Sequence, residues 1–197
     1  MLSFVVSLCV FVASVPLSGG LDGGSLVLNE IMIDPIASGS MEIGQWIEVY
    51  NNSGDWVNLS NWTIENAAGE SIQFSSYMLQ PDAYFVIGAS SITSENGGYT
   101  PDDLWYDFSL NLDDSLILSS VGTDFTESVN WDGSWDLIPG CTLERVNPGW
   151  SCSDNETWQH STVQFGDGDS GTPSTQNSVF SNSFGQNTWA FIKAFVR

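Results

Sequence analysis

A carboxylate set between two large aromatics is the first place to look for chemistry. In "QWIEVYN" (Gln45–Asn51) the strand formers Trp46, Ile47, Val49 and Tyr50 surround Glu48. A pleated strand sends alternate side chains to opposite faces, so Glu48 shares a face with Trp46 and Tyr50. Three roles fit: a catalytic acid, a metal ligand, or half of a structural ion pair. Catalysis lacks companions. The single histidine, His160, stands in the loop-like "ETWQHSTV", and no nucleophile elbow or Gly-rich phosphate loop is present. Ser and Asp are too plentiful to point to a triad. A glycosidase needs only two carboxylates, but it also needs a deep cleft, hard to build on a small domain without large loops. No catalytic residue is assigned.

Calcium takes oxygen ligands from carboxylates and loop carbonyls. Asp167 and Asp169 in "DGD", the pair Asp113 and Asp114, and the pair Asp102 and Asp103 could supply them. None has the spacing of an EF-hand loop, and a solvated acidic loop is the competing reading. The ion-pair role has one obvious cation. All 24 acidic residues lie between Asp22 and Asp169, and Arg145 in "TLERV" is the only Arg or Lys in that span. Arg145 is therefore expected to reach Glu48. Glu30 in "LNEIM", flanked on its own face by Leu28 and Met32, is the second candidate. The planar guanidinium suits a two-pronged carboxylate contact.

Other residues bear on compartment and ligand. The apolar run from Leu2 to Val15, followed by small Ser18 and Gly20, reads as a secretory signal over residues 1–20, and it is too short for a spanning helix. In an exported chain Cys141 and Cys152 are expected to form a disulfide, since two Cys and one His are too few for a zinc site. Asn-x-Ser/Thr sequons at Asn51, Asn58, Asn61 and Asn155 are glycosylation candidates. Of the nine Trp residues, Trp46, Trp62 and Trp131 fall on strand patterns and are expected to be buried, whereas Trp135, Trp150 and Trp158 fall in loops and could stack on sugars.

The elements that must position these residues are short strands. "LVLNEIMI", "QWIEVYN", "WVNL", "WTIEN", "SIQF", "AYFVIG", "WYDFSL", "SLILSS", "ESVNW" and "TLERV" are separated by Asn, Asp, Gly and Ser. No stretch of helical length carries a period of 3.6. The pattern predicts an antiparallel sandwich or barrel. Apolar residues make up 42% of the 197, enough for a packed core, and the net charge is -21. Such a charge repels phosphates, so nucleic acid and anionic lipid are poor partners, and it suits a saline or cation-rich medium. After "GDGDSGTPSTQN" (Gly166–Asn177) the composition changes: residues 178–197 hold no acid and end in an apolar stretch.

The order of motifs resembles the lamin tail domain family. The residues that carry the resemblance are "LNEIM", "QWIEVYNNSGDWVNLSNWTI", "LQPDAYFVI", "LDDSLILSSVGTD", "SVNW", "CTLERV" and "GTPSTQN", between Leu26 and Asn177. Asp82 and Ser174 stand where the family pattern has Gly after a proline. The resemblance implies an all-β, immunoglobulin-like antiparallel β-sandwich over residues 21–177 and a non-enzymatic module. With the signal-like start and the acidic surface, the expectation is a secreted or cell-surface interaction module, its partner a protein or a cell-surface glycan, with no membrane span after signal removal. The alternative is a calcium-stabilised or carbohydrate-binding accessory domain of a larger secreted protein.

Overall fold

The computed structural model describes residues 26–121 and 124–181. The expected signal segment, and residues 182–197 of the tail, lie outside the described residues. Strands follow one another as β1 (Leu26–Met32), β2 (Trp46–Asn51), β3 (Val57–Asn58), β4 (Trp62–Asn66), β5 (Ser71–Gln73), β6 (Met78–Leu79), β7 (Tyr84–Gly88), β8 (Asp103–Leu104), β9 (Asp114–Ser120), β10 (Thr126–Trp131), β11 (Leu143–Arg145) and β12 (Trp158–His160). One four-residue helix, α1 (Met41–Gly44), precedes β2.

Two sheets form the sandwich, one ordered β12-β11-β1-β2-β7-β8 and the other β10-β9-β4-β5; β3 and β6 make a separate two-stranded ribbon. Every pairing is antiparallel except β7 with β8. The alternation that predicts strands also builds the core. In β10, Glu127, Val129 and Trp131 are buried while Thr126, Ser128 and Asn130 are exposed. Leu28, Ile47, Phe85 and Leu143 of the larger sheet share one cluster with Trp62, Ile64, Leu118 and Val129 of the smaller. Burying a Leu, Ile or Phe side chain stabilises by roughly 1.5–3 kcal/mol, so this contact is the main force closing the sandwich.

The outer face of the larger sheet is also covered. Met32, Trp46, Val86 and Tyr99 form a second cluster, capped by Phe165. Tyr99 arrives on the long loop after β7, and its hydroxyl donates to Gln45 O at 2.9 Å.

Strand expectations fail in several places, including β6 and β8, which no expected strand covers. "WYDFSL" is not a strand: Asp107 takes a left-handed φ of 53°, which breaks the extended run, and Trp105 and Phe108 pack with ring centroids 5.3 Å apart. β12 was expected to be loop, and its Trp158 is 5% exposed within the core. In β1 the register shifts between Leu28 and Glu30. A bulge of one residue reverses which face each later side chain meets. Leu28 therefore enters the inner core and Met32 the outer cluster, so Glu30 does not share a face with both.

Candidate functional site

The bulge decides the fate of the charged residues. It turns Glu30 to the outer face, where Glu30 pairs across the strands with Glu144 of β11 on one side and Glu48 of β2 on the other. Three glutamates thus stand in a row on adjacent strands, each 0% exposed. Arg145 follows Glu144 directly and so faces the opposite way, into the sandwich. There its Nη1 donates to Glu127 Oε1 of β10 at 2.8 Å and to Leu28 O at 3.0 Å, and its Nη2 donates to Trp150 O. Glu127 Oε1 also accepts Leu28 N–H at 2.7 Å. The backbone groups left by the bulge are satisfied by an ion pair that ties the two sheets together. The expected pairing of Arg145 with Glu48 or Glu30 is corrected to Glu127, because alternation puts cation and ladder on opposite faces. Burial pushes the Glu127 carboxyl up, and Arg145 pulls it back.

Among the described residues no cation meets the glutamate row. It is met instead by hydroxyls and amides, chiefly from the segment Thr172–Val179. Thr142 Oγ1 and Thr172 N donate to Glu30 Oε1 at 2.6 and 2.8 Å. Thr172 Oγ1 lies 2.9 Å from Glu30 Oε2 and 3.0 Å from Glu144 Oε1. Ser178 Oγ and Val179 N donate to Glu144 Oε2, Ser174 N to Glu48 Oε2, and Asn29 Nδ2 to Glu48 Oε1. Burial first, and Glu144 second, push Glu30 up to about 8. Burial, then Glu30, raises Glu48. Hydrogen bonding continues past Asn177: Ser181 N donates to Val146 O at 3.0 Å.

The candidate calcium ligands are engaged or apart. Asp169 accepts Ile36 and Ala37 N–H at 3.1–3.3 Å. Asp114 accepts Ala67, Asn111 and Ser115 N–H. Asp102 accepts Val86 N–H and Asp103 accepts Ser75 N–H. Asp113 and Asp167 are exposed. Among the described residues no group of three or more His, Cys, Asp or Glu is arranged to hold a metal ion.

The disulfide expectation is corrected: both cysteines are free. Cys141 lies just before β11, bridged to Ser170, whereas Cys152 packs beside the Arg145–Glu127 pair and donates to Ser128 O at 2.9 Å. Burial pushes the Cys152 thiol up to about 12. Asn51 is corrected as a glycan acceptor, since it is 0% exposed and its Nδ2 donates to the carbonyls of Asp55, Leu79 and Gln80. Asn58, Asn61 and Asn155 are exposed.

Trp46, Trp62 and Trp131 are buried as expected. Trp135 and Trp150 are half-buried, whereas Trp158 is in the core, which corrects its place in the stacking set. The ring that stands out is Trp56, 61% exposed. It precedes β3, whose Val57 pairs with Leu79 and whose Asn58 pairs with Met78. Val57 and Leu79 point inward, so Trp56, Asn58, Met78 and Gln80 share the outward face. Met78 is 50% exposed, and Tyr77 leans on Phe85 with 49% of its surface free. A missed signal was available here: in "WVNL" the alternation sets Trp56 on the side of Asn58, opposite Val57 and Leu59.

A cleft of about 60 Å³ lies between Tyr50, Tyr84, Pro148, Gln176 and Phe180. Ligand pockets run to about 300–1,000 Å³, so it does not serve as one. No described helix is long and apolar enough to cross a membrane.

The family model described as Lamin Tail Domain matches residues 22–133. No curated protein matches the chain in sequence. The matched region ends before β11 and β12, yet β11 pairs directly with β1, and β12 with β11, in the larger sheet.

Proposed function

Because the chain belongs to the lamin tail domain family, an immunoglobulin-like, non-enzymatic fold family, we propose that it works as a non-catalytic interaction module, secreted or displayed at a cell surface. The observation that carries this reading is the outward face of the β3–β6 ribbon. Trp56 and Met78 leave 61% and 50% of their surface in water, and Tyr77, next to Met78 but turned toward Phe85, leaves 49%. An exposed Trp and Met sharing one face are characteristic of contact surfaces, where Trp supplies much of the binding energy. The exported placement rests on the apolar start and the acidic composition, which suits an ion-rich medium.

The partner class that fits best is a protein presenting apolar side chains within a neutral or basic rim, since the surrounding charge is negative. A cell-surface glycan is the second reading: Trp56 shares its face with Asn58 and Gln80 by register, and a sugar needs both a stacking face and hydrogen-bonding groups. A glycan attached at Asn58 would occupy this face and oppose both readings.

The test compares the wild-type chain with Trp56→Ala in binding to intact producer cells and to a glycan array. Loss of cell binding by about tenfold or more, with the array silent for both chains, supports the protein reading. Array binding that depends on Trp56 supports the glycan. Equal binding by the two chains sinks the ribbon as the contact surface, as does a natural glycan found on Asn58 by mass spectrometry.

A further inference from the structure

We infer that the Glu144–Glu30–Glu48 ladder is a proton-dependent latch, which holds the strap Thr172–Val179 on the outer face of the larger sheet and lets it go as Glu30 and Glu48 lose their protons. The geometry favours a shared proton. Thr172 Oγ1 sits within hydrogen-bond distance of Glu30 Oε2 and Glu144 Oε1 at once. A hydroxyl has one proton to donate, whereas an ionised carboxylate can only accept. Both contacts are full hydrogen bonds if the Glu30 carboxyl carries a proton and donates it to Thr172, whose own hydroxyl proton then goes to Glu144; a single hydroxyl proton shared between two carboxylates would leave both contacts weak.

Among the described residues nothing substitutes for that proton. On β11 the one cation, Arg145, faces the other way and is committed to Glu127. On β12, Gln159 lies opposite Glu144, and His160 lies opposite inward-facing Leu143. From the β7 side come Tyr84 and Asp102, the latter acting on Glu48 as a like charge. Tyr50, bonded to Asp82, adds a neutral phenol and another acid. Asp169 turns to the Ile36 and Ala37 amides. The strap contributes only Thr, Ser and Asn side chains around the ladder.

Ionisation would strengthen each N–H···O bond taken singly. It would also place like charges on neighbouring strands, out of water and without a counter-ion, which is the costlier effect. Water can relieve them if the cover lifts, and the strap can lift without breaking a sheet ladder. The sign follows from the raised carboxyl of Glu30. A folded-state value of about 8, against 4.5 for an ordinary glutamate, gives stability that is full below the ordinary value and lost as pH rises through the raised one.

Hydrogen–deuterium exchange on the full chain reads the latch directly. Each amide rate is divided by its intrinsic chemical rate at that pH. Between about pH 6 and about pH 9, protection at Thr172, Ser174 and Val179 is expected to fall about tenfold or more, while β9 changes much less. Glu30→Gln, with Glu144→Gln as the second variant, removes one charge and should move the opening to higher pH. Infrared spectra of the wild-type chain should show a protonated carboxyl band at about pH 6 that fades by about pH 9. Should both variants fail to fold, the wild-type exchange and infrared measurements still decide. Strap protection independent of pH, equal loosening of β9, an unmoved opening in a folded variant, or no protonated band at the lower pH would each overturn the latch.

Discussion

Arg145 and Glu127 are the residues whose loss the fold should feel most. Their side chains are 0% and 5% exposed, and together they close the backbone groups of Leu28 at the bulge. Truncating one partner of a buried pair leaves the other charged without compensation. Arg145→Ala is expected to cost about 3–5 kcal/mol in urea denaturation, with Glu127→Gln costing less because the amide keeps part of the network. A cost of Arg145→Ala below about 1 kcal/mol would mean that the pair behaves like a surface one. Cys152 belongs to the same neighbourhood. With its thiol buried and pushed up to about 12, it should resist alkylation at neutral pH in the native chain and react once the chain is unfolded. Rapid native labelling at Cys152, read by peptide mass spectrometry, would contradict that burial.

Two turns show how elements are set. Asp82 and Ser174 replace the glycines of the family pattern, and both adopt left-handed backbone, with φ of 59° and 64°. Asp82 has a compensation, because its carboxylate accepts the Tyr50 hydroxyl at 2.9 Å. For Ser174 the gain lies in the backbone: its N–H donates to Glu48 at 2.6 Å, and the left-handed turn that Pro173 leads into places it there. Glycine keeps that N–H and removes the Cβ penalty, although it adds entropy to the unfolded chain. Ser174→Gly should therefore stabilise by about 0.5–1 kcal/mol, as measured by thermal or urea unfolding. Destabilisation by this change would show that the serine side chain matters to the strap. Gly171, at the start of the same strap, has the opposite constraint. A Cβ there would lie 3.0 Å from Glu30 Oε1 and 2.9 Å from Phe165 Cε1.

At the scale of the molecule the charge dominates. A net charge of -21 works against compactness, and added salt screens it. Stability should rise with sodium chloride. The loop acids considered for calcium already accept backbone N–H groups in the case of Asp114 and Asp169, so calcium is expected to act as a screening ion. Melting curves in calcium and magnesium at equal ionic strength should then coincide. A higher midpoint in millimolar calcium alone would establish a specific site and revive the calcium-stabilised reading.

The sequence by itself determined what depends on neighbours along the chain. Period-two alternation gave β2, β4, β9 and β10, the shared face of Trp46, Glu48 and Tyr50, and the burial of Trp62 and Trp131. The family motifs, read in order, gave the sandwich. Tertiary structure decided everything that hangs on register and on contacts over long separations. One bulged residue in β1 reversed the parity after Leu28, turned Glu30 outward, and left the inner face to Arg145 and Glu127. The exposure of Trp56 depends on which side of the β3–β6 ribbon rests on the core, and the separation of Cys141 from Cys152 on where β11 lies between them. Local pattern fixes alternation, but a shift of one residue changes every partner on a face, and only the packed sheets select among the shifts.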